Sequence, residues 1–486
     1  MALHVYNTLT RRKEEFKPLH EGFVGMYVCG PTVYGDSHLG HAKSYVSFDV
    51  MVRYLRYLGY KVVYVQNVTD VGHLTDDADE GEDKIEKQSR IDRVHPMQIA
   101  ETYTRSYFED MDAMGVLRPD ISPRASGHIL EQIEIVEQLI RKGFAYETNG
   151  SVYFSVPAFA EYGKLSGRSF EDMEAGARVE VNPEKRHPAD FALWKKAEPS
   201  HIMQWPSPWG KGYPGWHVEC SAMSMKYLGE SFDIHGGGLE NQFPHHECEV
   251  AQSECATGKP FVKYWLHNNM VTTHGQKMGK SLGNSVSLKD AFKKYDPLVI
   301  RFFVLQSHYR STLDFSDEAV KGAKTGYEKL INTVRNLSEE QAKGAVTGQG
   351  VADAAIDLES YKHRFVAAMD DDFNSSQAIA VLFDLARETN ALLNLETKAS
   401  ASSLGEILDL FRELGGGVLG ILPGGAVVRT ASDESLEPQL LQLLVDLRGE
   451  VRAQKLWALS DTIRDRLKQL HVTIEDRKDG TIWRKG

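Results

Sequence analysis

"GMYVCGPTVYGDSHLGHAKSYVSFDVMVRYLRYLGYKVVYVQNVTD", residues 25–70, decides the fold. An apolar run, Gly25 to Val28, ends in Cys29 and a Gly-Pro turn, after which two histidines stand three apart. Tyr45, Phe48, Val52, Leu55 and Leu58 then recur every three or four residues, the spacing of a helix with one buried face, and Gly59 suits its C-terminal cap. "KVVYVQNVTD" reads as a buried second strand. Strand, turn, helix and strand make a βαβ unit, whose strands run parallel and whose ligands gather at the strands' carboxyl ends. Cys29 to His41 occupy such an end.

Further along, residues 120–210 mix a helical stretch ("GHILEQIEIVEQLIRKGFAYE"), a hairpin ("GSVYFSV") and loops rich in Pro and Trp ("QWPSPWGKGYPGW"), and read as an insertion into the sheet domain. From 216, "WHVECSAMSMKYLG", "SFDIHGGG" and "FPHHECEVAQSECATG" resume an α/β pattern of helix, strand, glycine loop and helix. Beyond about 285 the pattern turns helical, with exposed connections expected at 344–352 and 414–436. The last fifty residues predict a helix broken near Gly449 and a short strand-like end.

A chain of 486 residues with 42% hydrophobic and 26% charged residues is globular in composition, and no apolar run approaches the roughly 18 residues a spanning helix needs. The start, "MALHVYNTLTRRKEEF", lacks the apolar core of a signal peptide, so a cytoplasmic location without membrane association is expected. Four cysteines, at 29, 220, 248 and 255, cannot staple a chain this long; their role is chemical or one of packing. The formal charge of −12 argues against a uniformly basic nucleic-acid binder, yet residues 440–486 carry ten Lys/Arg against seven Asp/Glu.

His38-Leu39-Gly40-His41 stands where a strand end turns into a helix, so its imidazoles and the first unpaired backbone N–H groups could face a phosphate; two packing histidines are the alternative. "HGQKMGKSLGN", 274–284, sets Lys277 and Lys280 among glycines, either a solvated turn or a mobile loop bringing cations to a polyphosphate. The acidic run "TDDADEGEDK", 75–84, reads as a solvated loop rather than a divalent-ion site. "FPHHECEVAQSEC" puts His245 and Glu249 four apart on one helical face. With thiols from distant strand ends such as Cys29 and Cys220, they could form a tetrahedral site favouring zinc. Buried structural cysteines remain the alternative, and Cys248 competes with Glu249. Trp216, four residues before Cys220, could line the same pocket or belong to the core.

Together "PTVYGDSHLGHA" and "KMGKS" resemble the two ATP signatures of class I aminoacyl-tRNA synthetases. "YVCGPTVYG", "GWHVECSAM" and "FPHHECEVAQSE" resemble those of the cysteinyl-tRNA synthetase family, and the likeness extends through "YGKLSGR", "FALWK" and "MDDDFN" to "DGTIWR", covering nearly the whole chain. That resemblance implies an α/β fold with a Rossmann-like parallel-sheet catalytic domain split into 1–120 and 211–270 by a connective insertion at 121–210. It further implies a stem-contact region with the lysine loop at 271–309, an α-helical bundle at 310–404 and a small anticodon-binding domain at 405–486. The family's one zinc ion per chain maps onto Cys29, Cys220, His245 and Glu249; its ATP site onto His38, His41, Gly236, Gly237, Gly238, Lys277 and Lys280, with His38, His41 and the two lysines catalytic. Cys29, Thr69 and Trp216 match positions around the bound amino acid, and Arg452, Trp457, Asp461, Asp476 and Trp483 match positions in or near the anticodon-contacting surface.

The implied reaction joins L-cysteine to ATP, with Mg2+, and passes the cysteinyl group to the 3′-terminal adenosine of tRNA(Cys); a monomer is expected. An apolar pocket separates near-isosteric groups such as thiol and hydroxyl by only about 10². A soft thiolate on zinc does better, so the substrate thiol is expected to join the ion and no editing domain is expected. Leu39 replaces the usual isoleucine and Gly279 the usual serine of the two signatures, and the stretch "VGHLTDDADEGEDKI" replaces a shorter acidic segment. A cysteine ligase acting on an amino sugar would share the catalytic core without the long tail; a non-catalytic zinc or RNA-binding protein need not keep both the histidine pair and the lysine loop.

Overall fold

The decisive stretch folds as its periodicity requires, into β1 (Phe23–Val28), α1 (Leu39–Tyr57) and β2 (Lys61–Gln66). The computed structural model describes residues 2–74, 82–168, 182–273, 275–278, 283–343, 356–395, 399–422, 433–469, 472–477 and 480–485. Two later strands, β3 (Phe232–Gly238) and β4 (Val262–Asn268), complete a four-stranded sheet in the order β4-β3-β1-β2 with every pair parallel. Met26 of β1 lies in register with Tyr64 of β2 on one side and Ile234 of β3 on the other. The chain thus leaves β1 toward one neighbour and returns to the other, which makes the gap between the carboxyl ends of β1 and β3 the switch point where open α/β sheets bind ligands. Cys29 stands there, its N–H donating to the Gly236 carbonyl at 3.0 Å.

Two helices flank that point, α2 (Trp216–Leu228) and α3 (His245–Thr257). Nearly all of α3 is buried, so its many polar side chains must find partners inside the protein. The insertion carries a helix, Ile129–Arg141, and a five-stranded antiparallel sheet in the order Ala145–Thr148, Ser151–Phe154, Phe191–Lys196, Gly210–Pro214, Trp205–Ser207. The last two strands occupy the stretch expected to be loop. Its glycines serve the hairpin: a Cβ at Gly212 would fall 2.3 Å from the Trp194 indole nitrogen, so only glycine lets the strand lie over that ring. The insertion sheet therefore runs to Pro214, past the expected boundary at 210, and the α/β pattern resumes with α2.

Beyond β4, a small sheet of Val271–Thr273, Gln276–Lys277 and Leu313–Phe315 leads into α4 (Pro297–Leu305), α5 (Asp317–Ala342), α6 (Leu358–Asp370), α7 (Ser375–Leu393) and α8 (Ala401–Phe411). Helix α8 packs on α5 with Leu404, Ile407, Leu408 and Phe411 buried, so it runs through the expected boundary at 405, and the chain divides into compact units of 1–424 and 425–486. The second unit holds α9 (Asp433–Ala453), α10 (Trp457–Gln469) and an antiparallel hairpin of β5 (Val472–Arg477) and β6 (Gly480–Lys485) over Leu441, Leu467 and Val472. Helix α9 continues through Gly449, where a break was expected; one interior glycine costs only about 1 kcal/mol, and the chain turns instead at Lys455, whose φ is +60°. Among the described residues no helix is long and apolar enough to cross a membrane.

Candidate active site

The switch point opens into a cavity of about 260 Å³ whose wall includes Cys29, His38, His41, Thr69, Trp216, Cys220, Gly237, Gly238 and His245. Sequence positions from 29 to 245 thus meet around one space. Gly236 does not line it; a Cβ there would fall 2.4 Å from the Phe48 ring, so this glycine seats α1 against β3.

On one side lie four candidate ligands. Cys29 ends β1, Cys220 sits on α2, and His245 and Glu249 share a face of α3; one donor atom from each falls within 4.8 Å of all the others. The two sulfurs are 3.9 Å apart, and His245 Nε2 is 3.2 Å from Glu249 Oε1. His245 Nδ1 lies 3.0 Å from His217 Nδ1, and the other Glu249 oxygen is held 2.9 Å from His235 Nε2, so both groups are oriented from behind, the arrangement that supports metal ligands. Two thiols, an imidazole and a carboxylate, all buried, fit a tetrahedral cation that takes N, O and S donors. Burial, the nearby Glu249 and Glu219 opposing the Cys220 contact, pushes the Cys29 thiol up to about 11, and burial also drives the Cys220 thiol well upward.

A second grouping, Cys29, His235, His246 and Glu249, has the same compactness and was not anticipated from the sequence. Of its members only Cys29 faces the cavity. His246 Nε2 approaches Cys29 Sγ at 3.2 Å, while its Nδ1 pairs with His267 Nε2 at 2.8 Å and His267 Nδ1 with Thr8 Oγ1 at 2.8 Å. Burial pushes His267 down to about 3 and His246 well below the usual range, so this chain of rings is neutral. Cys248 and Cys255 belong to neither grouping. Both pack into the apolar core between insertion and helices, with Cys248 Sγ 3.3 Å from the Tyr162 hydroxyl. Glu247, on the same helix, accepts from the Gly163, Leu165 and Ser166 N–H groups and so pins the "GKLSG" turn of the insertion.

On the other side of the cavity stands the start of α1. His38 is its N-cap: His38 Nδ1 accepts from the Gly40 N–H at 3.1 Å and His41 Nδ1 accepts from the His38 N–H at 3.2 Å, a reciprocal capping box built of imidazoles. A ring that accepts at Nδ1 carries its proton at Nε2, so both stacked rings, with centroids 3.9 Å apart, are N–H donors on their outer edges. Leu39 N–H donates to Val286 O and Leu288 N–H to Ser37 O, which ties this cap to the chain just past the lysine loop. Lys277, exposed, pairs with Thr272 across a short hairpin, and its carbonyl accepts from Asn284 Nδ2. Lys280 and residues 75–81 of the acidic run lie outside the described residues. Asp83, from the end of that run, is buried and caps the next helix by accepting from Ile85 and Glu86 N–H, and it also accepts from Gly72 N–H.

Trp216 lies between two imidazoles, stacked on His73 at 4.1 Å and on His245 at 4.2 Å. His73 Nδ1 meets Thr32 Oγ1 at 2.6 Å and its Nε2 meets Lys84 Nζ at 2.8 Å, a cavity-wall cluster missed in the sequence because its members span two turns and a helix start. Thr69 Oγ1 donates to Glu219, a fully buried acid also missed, at 2.5 Å. In the second unit, Arg452 lies over the exposed Trp457 ring at 6.0 Å and Asp461 pairs with Arg464 at 3.1 Å. Asp476 and Trp483 fall on the two strands of the terminal hairpin, in register with Thr481 and Ile474 respectively.

A split parallel sheet with a histidine cap at its switch point, and a match of residues 15–325 to the family described as the class I (C) tRNA synthetase catalytic domain, define the class: a class I aminoacyl-tRNA synthetase. Residues 364–423 match the DALR domain. The chain belongs to the cysteine–tRNA ligase family. It is 56% identical to the cysteine–tRNA ligase of Chlorobaculum tepidum over 100% of this chain and 99% of that one. To the corresponding ligases of Chlorobium luteolum and Thermus thermophilus it is 57% and 51% identical, again over 100% of this chain and 99% of theirs. In fold it resembles the Mycobacterium tuberculosis methionyl-tRNA synthetase solved with methionyl-adenylate, with a TM-score of 0.59 at 14% identity, covering 82% of this chain and 92% of that one.

Proposed function

We infer that the chain activates L-cysteine with ATP and transfers it to the 3′-terminal adenosine of tRNA(Cys), and that Cys29, Cys220, His245 and Glu249 hold zinc. The observation that carries this reading is the single cavity that has the thiol, imidazole and carboxylate group on one wall and the His38–His41 cap on another. Three of the four groups face the cavity, which favours this set over the one containing His235 and His246. Zinc held there supplies a soft Lewis acid for the substrate thiol, the basis for preferring cysteine to serine.

In the first step the cysteine carboxylate attacks the α-phosphorus of ATP in line; the new C–O–P bond forms as the α–β bridge breaks and pyrophosphate leaves. The Nε2–H groups of His38 and His41 donate to phosphate oxygens, and Lys277 and Lys280 neutralise charge on the departing pyrophosphate, while Gly237 and Gly238 let backbone approach the nucleotide. Trp216 and Thr69 enclose the amino acid. In the second step the terminal adenosine's hydroxyl displaces AMP. Arg452, Trp457, Asp461, Asp476 and Trp483 read the anticodon, with the exposed Trp457 as a stacking surface for an unpaired base.

Cysteine-dependent exchange of pyrophosphate into ATP, together with charging of tRNA(Cys), tests the reading. A serine exchange rate within about tenfold of the cysteine rate would rule out the zinc-based selection, since that factor is less than a plain pocket achieves. Lys280→Ala is expected to depress exchange; unchanged exchange removes that lysine from the mechanism.

A further inference from the structure

The "YGKLSGR" stretch of the insertion ends in a turn, 163–168, that has no part in the chemistry described so far. Besides the three N–H groups that donate to Glu247, the turn is closed by Gly167 N–H on the Gly163 carbonyl at 2.7 Å, and its Leu165 carbonyl accepts from Gln242 Nε2 at 2.9 Å. Gln242 and Phe243 directly follow Gly238, Glu240 and Asn241 of the cavity wall, so the turn stands at the cavity's rim. Two arginines are seated on it. The Arg168 guanidinium lies over the Phe243 ring, 4.2 Å from its centre. Arg11 comes from the tip of the hairpin His4–Asn7 and Arg12–Glu15, which is fastened to β4 through Thr8: its N–H donates to Trp265 O at 2.9 Å and its hydroxyl meets His267 Nδ1 at 2.8 Å. A Cβ at Gly167 would collide with the Arg11 guanidinium, so that glycine leaves the seat. Arg11 itself has a φ of +57°, a left-handed conformation that favours glycine at a hairpin tip, yet the position carries a long cation. Both arginines are exposed, and among the described residues no carboxylate pairs with either. Arg105, Arg118 and Arg364, equally exposed, each hold a carboxylate at 2.9 Å or less.

Taking the chain to charge tRNA(Cys), as proposed above, we propose that Arg11 and Arg168 bind the phosphodiester backbone of the tRNA's single-stranded 3′ end where it crosses the rim. The terminal adenosine's hydroxyl must reach an adenylate inside the cavity, so the phosphates just before it pass over the wall. A chain with a formal charge of −12 repels such a strand, and cations that no carboxylate neutralises are where it gains most. The guanidinium fork matches phosphate oxygens two at a time, and a guanidinium already seated on a ring or in a glycine notch loses little freedom on binding. The helix that pins the turn through Glu247 also carries His245 and Glu249, so the entry path of the strand is fixed relative to the wall proposed to hold the metal.

ATP presents phosphates too, and the two sources separate because pyrophosphate exchange is measured without tRNA. In Arg11→Gln and Arg168→Gln, cysteine-dependent exchange and the KM for ATP are expected at wild-type values, while kcat/KM for tRNA(Cys) in charging falls about tenfold in each, the scale of one charged hydrogen bond. The slope of log Kd for tRNA(Cys) against log salt should flatten by about 0.7 per arginine, the counterion release of one single-stranded phosphate. Arg11→Lys and Arg168→Lys, which keep the charge, should recover that slope. A tRNA(Cys) shortened by its single-stranded 3′ end should bind wild type and variants equally. Impaired exchange or a raised KM for ATP would assign the arginines to the nucleotide and overturn the proposal. So would unaltered charging, or a difference between wild type and variants that persists with the shortened tRNA. Should Arg11→Gln lower the melting temperature, Arg168→Gln decides alone. A wild-type chain that does not charge tRNA(Cys) overturns the tRNA reading itself; charging that neither variant alters overturns only the role of the arginines.

Discussion

His38 and His41 each do two things with one ring: Nδ1 caps the helix and Nε2 presents a proton. The two tasks separate by substitution. Asparagine at position 38 keeps an acceptor near Nδ1 and is a good N-cap, but it places no donor at Nε2. His38→Asn should hold its melting temperature while adenylation falls by about a hundredfold, the usual loss for one transition-state donor; a parallel loss of stability would show that the ring is mainly a cap. The thiols make a second residue-scale prediction. With the Cys29 thiol pushed up to about 11 and Cys220 also raised, both are protonated at neutral pH before metal arrives, and a metal ion must displace two protons. Apparent zinc affinity should therefore weaken by up to about a hundredfold for each pH unit of acidification, measured by chelator competition at two pH values. Affinity that does not vary with pH would exclude Cys29 and Cys220 as a thiolate pair. The histidine cap was legible because its motif is contiguous in the chain. Glu219, His235 and His267 were not, because what makes them matter is a partner from a remote segment.

At the scale of the element, helix α1 is fastened at both its start and its first turn. Beyond the Ser37–Leu39 contacts with 286–288, Lys43 is buried and its ammonium donates to the Ser311 carbonyl. Burial pushes Lys43 down to about 8, with Glu240 opposing. The unfolded chain, near the free value of about 10.4, binds more protons than the folded one between the two values, so the folded state gains stability as pH rises through that window. Wild type should gain on Lys43→Met at up to about 1.4 kcal/mol per pH unit above about pH 8, read from denaturant midpoints; a difference that does not change with pH would show that the ammonium is hydrated. Element types were readable wherever periodicity was strong, as in α1 and β2. The Trp205–Pro214 hairpin was not, since its glycines answer to a ring on another strand, and the end of α9 was misplaced because Lys455 carries no turn signature.

Across the unit formed by residues 1–424, two buried polar hubs join the catalytic sheet to the helices that follow it. Arg301, fully buried on α4, donates to Asp49 of α1, to Leu419 O at 2.8 Å and to Met114 O at 3.2 Å. Asp372 accepts from Tyr6 N–H, the Tyr309 hydroxyl and Arg310 Nε, binding the short strand His4–Asn7 to the turn before α7. Removing one partner of such a group strands the other, so Arg301→Leu should destabilise the unit by about 3–5 kcal/mol, seen as a lower denaturant midpoint; a loss under about 1 kcal/mol would mean that Arg53, also paired to Asp49, suffices. The order of strands in the sheet has a consequence for synthesis. Strand β1 finds β2 within about forty residues, but its other neighbour, β3, is about two hundred residues further on, and at roughly 5–20 residues per second that strand's edge stays open for some 10–40 seconds on the ribosome. Until then the half-made sheet offers a nascent chain's bare edge to any neighbouring strand. The cavity at the switch point, whose wall needs residues of β3 and α3, cannot exist until about half of the protein has been made.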